Sequence, residues 1–147
     1  MLLTIEKVLT LKSVSIFSKI PEESLVEVAS VLEEINVSNG QEIFKKGDIG
    51  TSMYIVVEGQ VSIHDEDKIL GNMGAGSVFG ELSALDPSPR SASVTATEDT
   101  YLFCIDQISL YELMTQYTDV AQGIIRVLCQ RVRECDAALL STTKQDV

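Results

Sequence analysis

The sequence predicts a mainly β protein, an antiparallel sandwich or roll flanked by helices at both ends. Apolar residues recur at helical spacing before residue 34 and again after residue 106. Between those limits, short apolar runs are cut by turn signals at close intervals, which is the texture of an antiparallel sandwich or roll. At 147 residues and 45% apolar content the chain is long enough for one domain with a real core.

Taken in order, Ile5, Val8, Leu9 and Lys12 fit a short amphipathic helix. After Ile16-Phe17, Pro21 suits the first turn of a second helix, with Glu22 and Glu23 favourable near its N-terminus. Leu25, Val28, Ala29 and Leu32 would line that helix's core face. The texture then changes. Ile35–Ser38 and Gln41–Phe44 flank Asn39-Gly40, a strong hairpin signal, so the two are expected to pair. Gly47-Asp48 and Gly50 mark a loop, and Met53–Val57 is a nearly continuous apolar strand. Glu58-Gly59 turns the chain into Val61–His64, and Asp65-Glu66-Asp67 is a polar tip before Lys68–Leu70 returns. Strands resume at Ala92–Thr95 and Tyr101–Ile105. Asp106 can cap a helix carrying Ile108, Leu110, Tyr111 and Leu113, and 118–140 is the longest helical candidate. In that last helix Ala121, Ile125, Leu128, Val132, Cys135 and Leu139 form a heptad-like stripe. Two readings stay open for it, packing on the domain's own roll or forming a homodimer seam.

Charge excludes a class of function. With 11 basic against 22 acidic residues the chain carries a net charge of −11, whereas duplex binding needs a basic face that displaces counterions. Arg126, Arg131 and Arg133 form only a local cluster beside Glu134 and Asp136, so direct DNA binding is not expected. No apolar run is long enough to cross a bilayer, and the charged residues that follow Met-Leu-Leu do not read as a signal peptide. Cys104, Cys129 and Cys135 are odd in number and lack metal-ligand spacing, which fits reduced thiols in a cytoplasmic protein. The single histidine, His64, is expected to face solvent, and no nucleophile–base arrangement is visible, so the chain is not expected to be an enzyme. Neither a metal nor a cofactor is called for.

The chemistry concentrates in 79–94, which reads Phe-Gly-Glu-Leu-Ser-Ala-Leu-Asp-Pro-Ser-Pro-Arg-Ser-Ala-Ser-Val. Glu81 and Arg90 stand nine positions apart around a short apolar turn and a Pro-Ser-Pro corner. A carboxylate accepts from hydroxyls, and a guanidinium grips a phosphate with two charge-assisted bonds. Gly80 before a helical turn lets backbone amides approach an anion. A ligand with a sugar hydroxyl and a phosphate satisfies all three. The competing reading is a structural Glu81–Arg90 ion pair. Gly74, Gly76 and Gly80 fail as a dinucleotide fingerprint because Phe79 stands at a required glycine, and fail as a P-loop because Glu81 follows Gly80.

The same segment resembles the phosphate-binding cassette of the cyclic nucleotide-binding domains, the family of catabolite activator protein, protein kinase A regulatory subunits and cyclic nucleotide-gated channels. Phe79, Gly80, Glu81, Leu82, Pro89, Arg90, Ala92, Ser93 and Val94 match the family pattern, and Ser83 replaces a common alanine. The resemblance spans about residues 14–130. It implies an eight-stranded antiparallel β-roll over 35–105 with its cassette at 79–94, a helical bundle at 1–34 and helices at 106–140, in a single domain. It further implies that Arg90 grips a cyclic phosphate, assisted by amides at Leu82, Ser83 and Ala92, with the Ser91 hydroxyl as an added donor. Glu81 would accept from the ribose 2′-hydroxyl, and Ile63 and Leu70 would wall the ribose or base. Serine at 91, where cyclic GMP-preferring relatives often carry threonine, leans toward cyclic AMP with cyclic GMP possible. The expected function is a regulatory sensor that passes ligand binding through its C-terminal helices to an effector domain or protein. Two rivals are a non-binding structural copy of the fold and a dimeric adaptor.

Overall fold

Alternation along two long strands organises the molecule. In β4 (Ser52–Glu58) Met53 and Ile55 face the helices, while Tyr54 and Val56 face the interior of the roll. In β10 (Thr100–Asp106) Phe103 and Ile105 face the helices and Leu102 faces the roll. Both strands are covered on both faces, which explains why 53–57 is nearly continuously apolar. Two cores result, one between the helices and this sheet and one inside the roll.

The computed structural model describes residues 2–146. Its elements run α1 (Thr4–Ser13), a 3-10 turn (Ser15–Phe17), α2 (Glu22–Ser30), β1 (Glu33–Val37), β2 (Glu42–Phe44), β3 (Ile49–Gly50), β4, β5 (Val61–Asp65), β6 (Lys68–Met73), β7 (Val78–Phe79), α3 (Glu81–Leu85), β8 (Ser88–Pro89), β9 (Ser93–Ala96), β10, α4 (Gln107–Gln116) and α5 (Thr118–Asp146). Two four-stranded antiparallel sheets, ordered β1-β10-β4-β7 and β2-β9-β5-β6, form the expected roll. Two further two-residue strands, β3 and β8, pair beside it, so the described residues hold ten strands and no closed barrel. No helix among the described residues is long and apolar enough to cross a membrane.

The Asn39-Gly40 turn forms, with Gln41 N–H donating to Ser38 O at 2.9 Å, but it does not make a hairpin. β1 pairs with β10 and β2 with β9, so the turn carries the chain from one sheet to the other. The local dipeptide fixes the bend; burial of each strand against distant partners decides the pairing. His64 is also not simply solvent-facing. It is half-buried, with Nε2 2.8 Å from Thr95 Oγ1 and Nδ1 3.0 Å from Glu66 O. Asp106 caps α4 as its position predicts, accepting from Ser109 N–H at 2.8 Å.

In α5 the buried face is Val120, Ile124 and Val127, with Gly123 between them. A Cβ at Gly123 would stand 2.6 Å from Ile20 Cγ1, so the glycine allows close approach to the N-terminal helical layer. The heptad-like stripe lies about one residue round the helix from this face. Ala121 and Leu128 are half-buried, but Ile125, Val132, Cys135 and Leu139 are exposed. Packing of the whole stripe on the domain's own body is therefore overturned.

Candidate functional site

A cavity of about 350 Å³ opens at the cassette, lined by Phe44, Ile63, Phe79–Ser83, Ser88–Ala92 and Val94. Its shape comes from α3, a five-residue helix begun by Gly80 in the left-handed region (φ 79°). That φ strains any residue with a Cβ, so glycine is the residue the turn requires. From α3 the chain passes the proline corner and returns at Arg90, whose backbone is fixed on both sides. Arg90 N–H donates to Asp48 O at 2.7 Å, and Gly47 N–H donates to Arg90 O at 2.8 Å. The Gly47-Asp48 loop thus holds the arginine in place.

Arg90 is 8% exposed. Its Nη2 donates to the Ser52 carbonyl at 2.8 Å, and its Cζ lies 4.1 Å from the centroid of the Phe44 ring. Such a cation–π contact supports a guanidinium without neutralising it. Phe44 is itself held by Tyr54 and Phe79, with ring centroids 6.0 and 5.9 Å away. Two glycines complete the niche. A Cβ at Gly50 would stand 2.3 Å from Arg90 Nε, and one at Gly80 2.5 Å from Arg90 Nη1. Among the described residues no carboxylate pairs with Arg90. Burial pushes its pKa down from the ordinary arginine value, against the smaller opposing pull of Tyr54, Cys104 and Asp48 nearby.

The alternative Glu81–Arg90 ion pair is absent. Glu81 instead receives Arg131 Nη1 of α5 at 3.2 Å. Arg131 Nη2 also lies 3.5 Å from Ser15 Oγ, so one side chain joins α5, the cassette and the N-terminal 3-10 turn.

Of the residues singled out in the sequence, Gly80, Glu81, Leu82, Ser83, Arg90, Ser91, Ala92 and Ile63 all line the cavity. Ser83 N–H is committed to the Gly80 carbonyl at 3.1 Å, so the proposed amide contact from Ser83 is not available in this arrangement. Leu70 lies outside the cavity. The β5–β6 ladder slips between Ile63 and His64, pairing them with Gly71 and Ile69, and Leu70 falls in the slip, 54% exposed. Three contributors were not foreseen, namely Phe44, the Ser52 carbonyl and Arg131. Only Arg131 had a readable signal, because it follows Val127 by four residues and so extends the buried face of α5.

Comparison with known proteins agrees with this architecture. The model of the "Cyclic nucleotide-binding domain" family matches residues 34–117, more than half the chain. A cAMP-dependent protein kinase regulatory subunit from Eremothecium gossypii is 36% identical over 99 residues, covering 67% of this chain and 22% of the relative. A cyclic AMP receptor protein from Thermus thermophilus is 31% identical over 134 residues, covering 88% of this chain and 62% of the relative. The crystal structure of the N-terminal domain of a transcriptional regulator from Streptomyces coelicolor A3(2) superposes with a TM-score of 0.83 at 28% identity, covering 88% of this chain and 94% of that one. This chain thus spans less than two thirds of both of these sequence relatives. With the roll, the cassette and the family match in agreement, the chain belongs to the cyclic nucleotide-binding domain family.

Proposed function

We propose that this chain is a regulatory sensor module that binds a cyclic nucleotide, cyclic AMP by preference, and relays occupancy through its C-terminal helices to an effector. The observation that carries this reading is Arg90, a buried cation aimed into a cavity and held by a carbonyl and an aromatic face. A buried charge without a counter-ion costs free energy, and an anionic ligand offsets that cost. A cyclic phosphate fits the guanidinium's paired donors. The neutral ribose 2′-hydroxyl suits Glu81, while Ile63 offers an apolar wall and Ser91 stands at the mouth. Serine at 91 favours cyclic AMP over cyclic GMP.

Two contacts support a relay. The Tyr111 hydroxyl of α4 donates to the Leu85 carbonyl at the end of α3. Glu81 at the start of α3 holds Arg131 of α5. A shift of the cassette therefore pulls on both C-terminal helices. The reading is of a binding module and not of an enzyme, in the cytoplasm, where three free thiols remain reduced. Its effector is a separate domain or protein, and the acidic surface gives duplex DNA no docking face.

Cyclic AMP at a hundredfold over Kd should add about 2.7 kcal/mol of stability and raise Tm by roughly 5–10 °C. Cyclic GMP should need a higher concentration for the same shift. No shift with either nucleotide at millimolar concentration would overturn the sensor reading in favour of a non-binding copy of the fold.

The exposed half of the α5 stripe favours one added contact, a homodimer seam. Ile125 is 55% and Val132 59% exposed at heptad-compatible spacing. Sedimentation equilibrium should show a dimer that Val132→Lys returns to monomer. A wild-type monomer at millimolar concentration would remove this contact from the account.

A further inference from the structure

Ser88 and Pro89 of the Pro87-Ser88-Pro89 corner line the cavity, yet the ligand scheme above gives them no role. Asp86, Pro87, Ser88 and Pro89 are all exposed. Ser88–Pro89 is extended as β8 and pairs with Gly50 and Ile49 of β3. Extended backbone puts residues two apart on one face, so Ser88 and Arg90 turn to the same side, and both line the cavity. The Ser88 hydroxyl is loosely held. Its contact is the Ser83 hydroxyl at 3.5 Å, beyond the usual O–H···O range. Ser83 stands one turn of α3 after Gly80, and a Cβ at Gly80 would lie 2.5 Å from Arg90 Nη1. Hydroxyl and guanidinium therefore flank the same turn of α3. Resting on the reading of Arg90 as a phosphate receptor, we propose that Ser88 is a phosphorylation site whose phosphoryl group binds Arg90 and excludes the cyclic nucleotide.

The step is a phosphoryl transfer from a nucleoside triphosphate held by a protein serine kinase. Ser88 Oγ attacks the γ-phosphorus and forms the new O–P bond. The bond from that phosphorus to the β-phosphate oxygen breaks, the nucleoside diphosphate leaves, and the hydroxyl proton passes to the kinase's base. The product carries a charge of about −1.5 to −2 near neutral pH and three acceptor oxygens. Arg90 is suited to receive it. No described carboxylate is in ion-pair contact with the guanidinium, and the Ser52 carbonyl takes only one of its five N–H donors. Glu81, the carboxylate that lines the same cavity, is paired with Arg131 at 3.2 Å, which limits its repulsion of the new group. A phosphoryl tethered two residues away reaches Arg90 without the loss of translational freedom that a diffusing ligand bears. Its larger charge also attracts the guanidinium more strongly than a singly charged cyclic phosphodiester does. The exclusion is reciprocal, so bound nucleotide protects Ser88 from the kinase.

The full chain with phosphoserine incorporated at position 88 during translation, titrated calorimetrically with cyclic AMP, tests the exclusion. Affinity should fall about thirtyfold or more against the unmodified chain, the loss expected on removing Arg90. Phosphorus NMR separates capture by Arg90 from simple crowding of the cavity. The phosphoryl group should titrate about one pH unit lower than the same group in an Arg90→Ala chain, because the guanidinium favours the dianion. Incubation of the unmodified chain with ATP and an extract of its source cells, followed by peptide mass spectrometry, should place phosphate on Ser88. Saturating cyclic AMP should suppress that modification. Undiminished affinity in the phosphorylated chain, equal titration midpoints with and without Arg90, or no phosphate on Ser88 would each overturn the proposal and leave the sensor reading intact. An unmodified chain that fails to bind cyclic AMP would overturn the sensor reading and the exclusion together.

Discussion

Arg90→Ala is expected to weaken cyclic AMP binding by about thirtyfold or more, because truncating one partner of a buried charge pair costs about 2–5 kcal/mol. The ligand-free protein should stay within about 1 kcal/mol of wild-type stability. Those two expectations separate a ligand-binding arginine from a structural one. Within the protein the guanidinium has a carbonyl bond and an aromatic platform, and no described carboxylate in ion-pair contact, so its removal also relieves a buried charge. Glu81→Ala should cost less, since its proposed ligand partner is a neutral hydroxyl and its removal lowers repulsion near the phosphate. Denaturant titration and calorimetry on the same preparations check both. Unchanged binding by Arg90→Ala would place the nucleotide in another pose or another pocket, and a large loss of ligand-free stability would make Arg90 a structural residue.

Gly50→Ala is expected to reduce cyclic AMP binding tenfold or more, about 1.4 kcal/mol, although Gly50 carries no functional group. Its new methyl would fall 2.3 Å from Arg90 Nε and 2.4 Å from Cζ, distances that force the guanidinium to move. The backbone of Gly50 is not in the left-handed region, so alanine itself is tolerated there. What moves is the far end of one side chain, confined by Phe44 and by Gly80. Circular dichroism should therefore report a retained fold while calorimetry reports the loss. Wild-type affinity in Gly50→Ala would show that the guanidinium's position is not critical and would remove the tight niche from the account.

The elements that could be read in advance were those set by local chemistry. Asp106 caps α4 because its side chain meets an amide three residues on, and β4 shows its two-sided burial in its own composition. The cassette was legible because Gly80, Glu81 and Arg90 lie within one short segment whose turn fixes their geometry. What failed depended on distant partners. The Asn39-Gly40 turn encodes a reversal but not which sheet each strand joins. Leu70 was displaced by a slip in the β5–β6 ladder, and a single slip changes which face a side chain takes. In α5 two apolar stripes run side by side, and the shorter Val120–Ile124–Val127 set is the buried one. That phase error also hid Arg131, which meets Glu81 from 50 residues away. Phe44 gave no signal beyond being an aromatic on a strand, since its role exists only where β2 passes beneath Arg90.

The central claim is that a buried arginine with no carboxylate in ion-pair contact among the described residues makes this cavity a receptor for a nucleotide's cyclic phosphate. Parallel calorimetric titrations with cyclic AMP and with adenosine, which has the base and sugar hydroxyls but no phosphate, test it most directly. The account predicts one site per chain for cyclic AMP and affinity for adenosine lower by about thirtyfold or more, the same loss expected on removing Arg90. Equal affinity for the two ligands, or binding of neither, would contradict it.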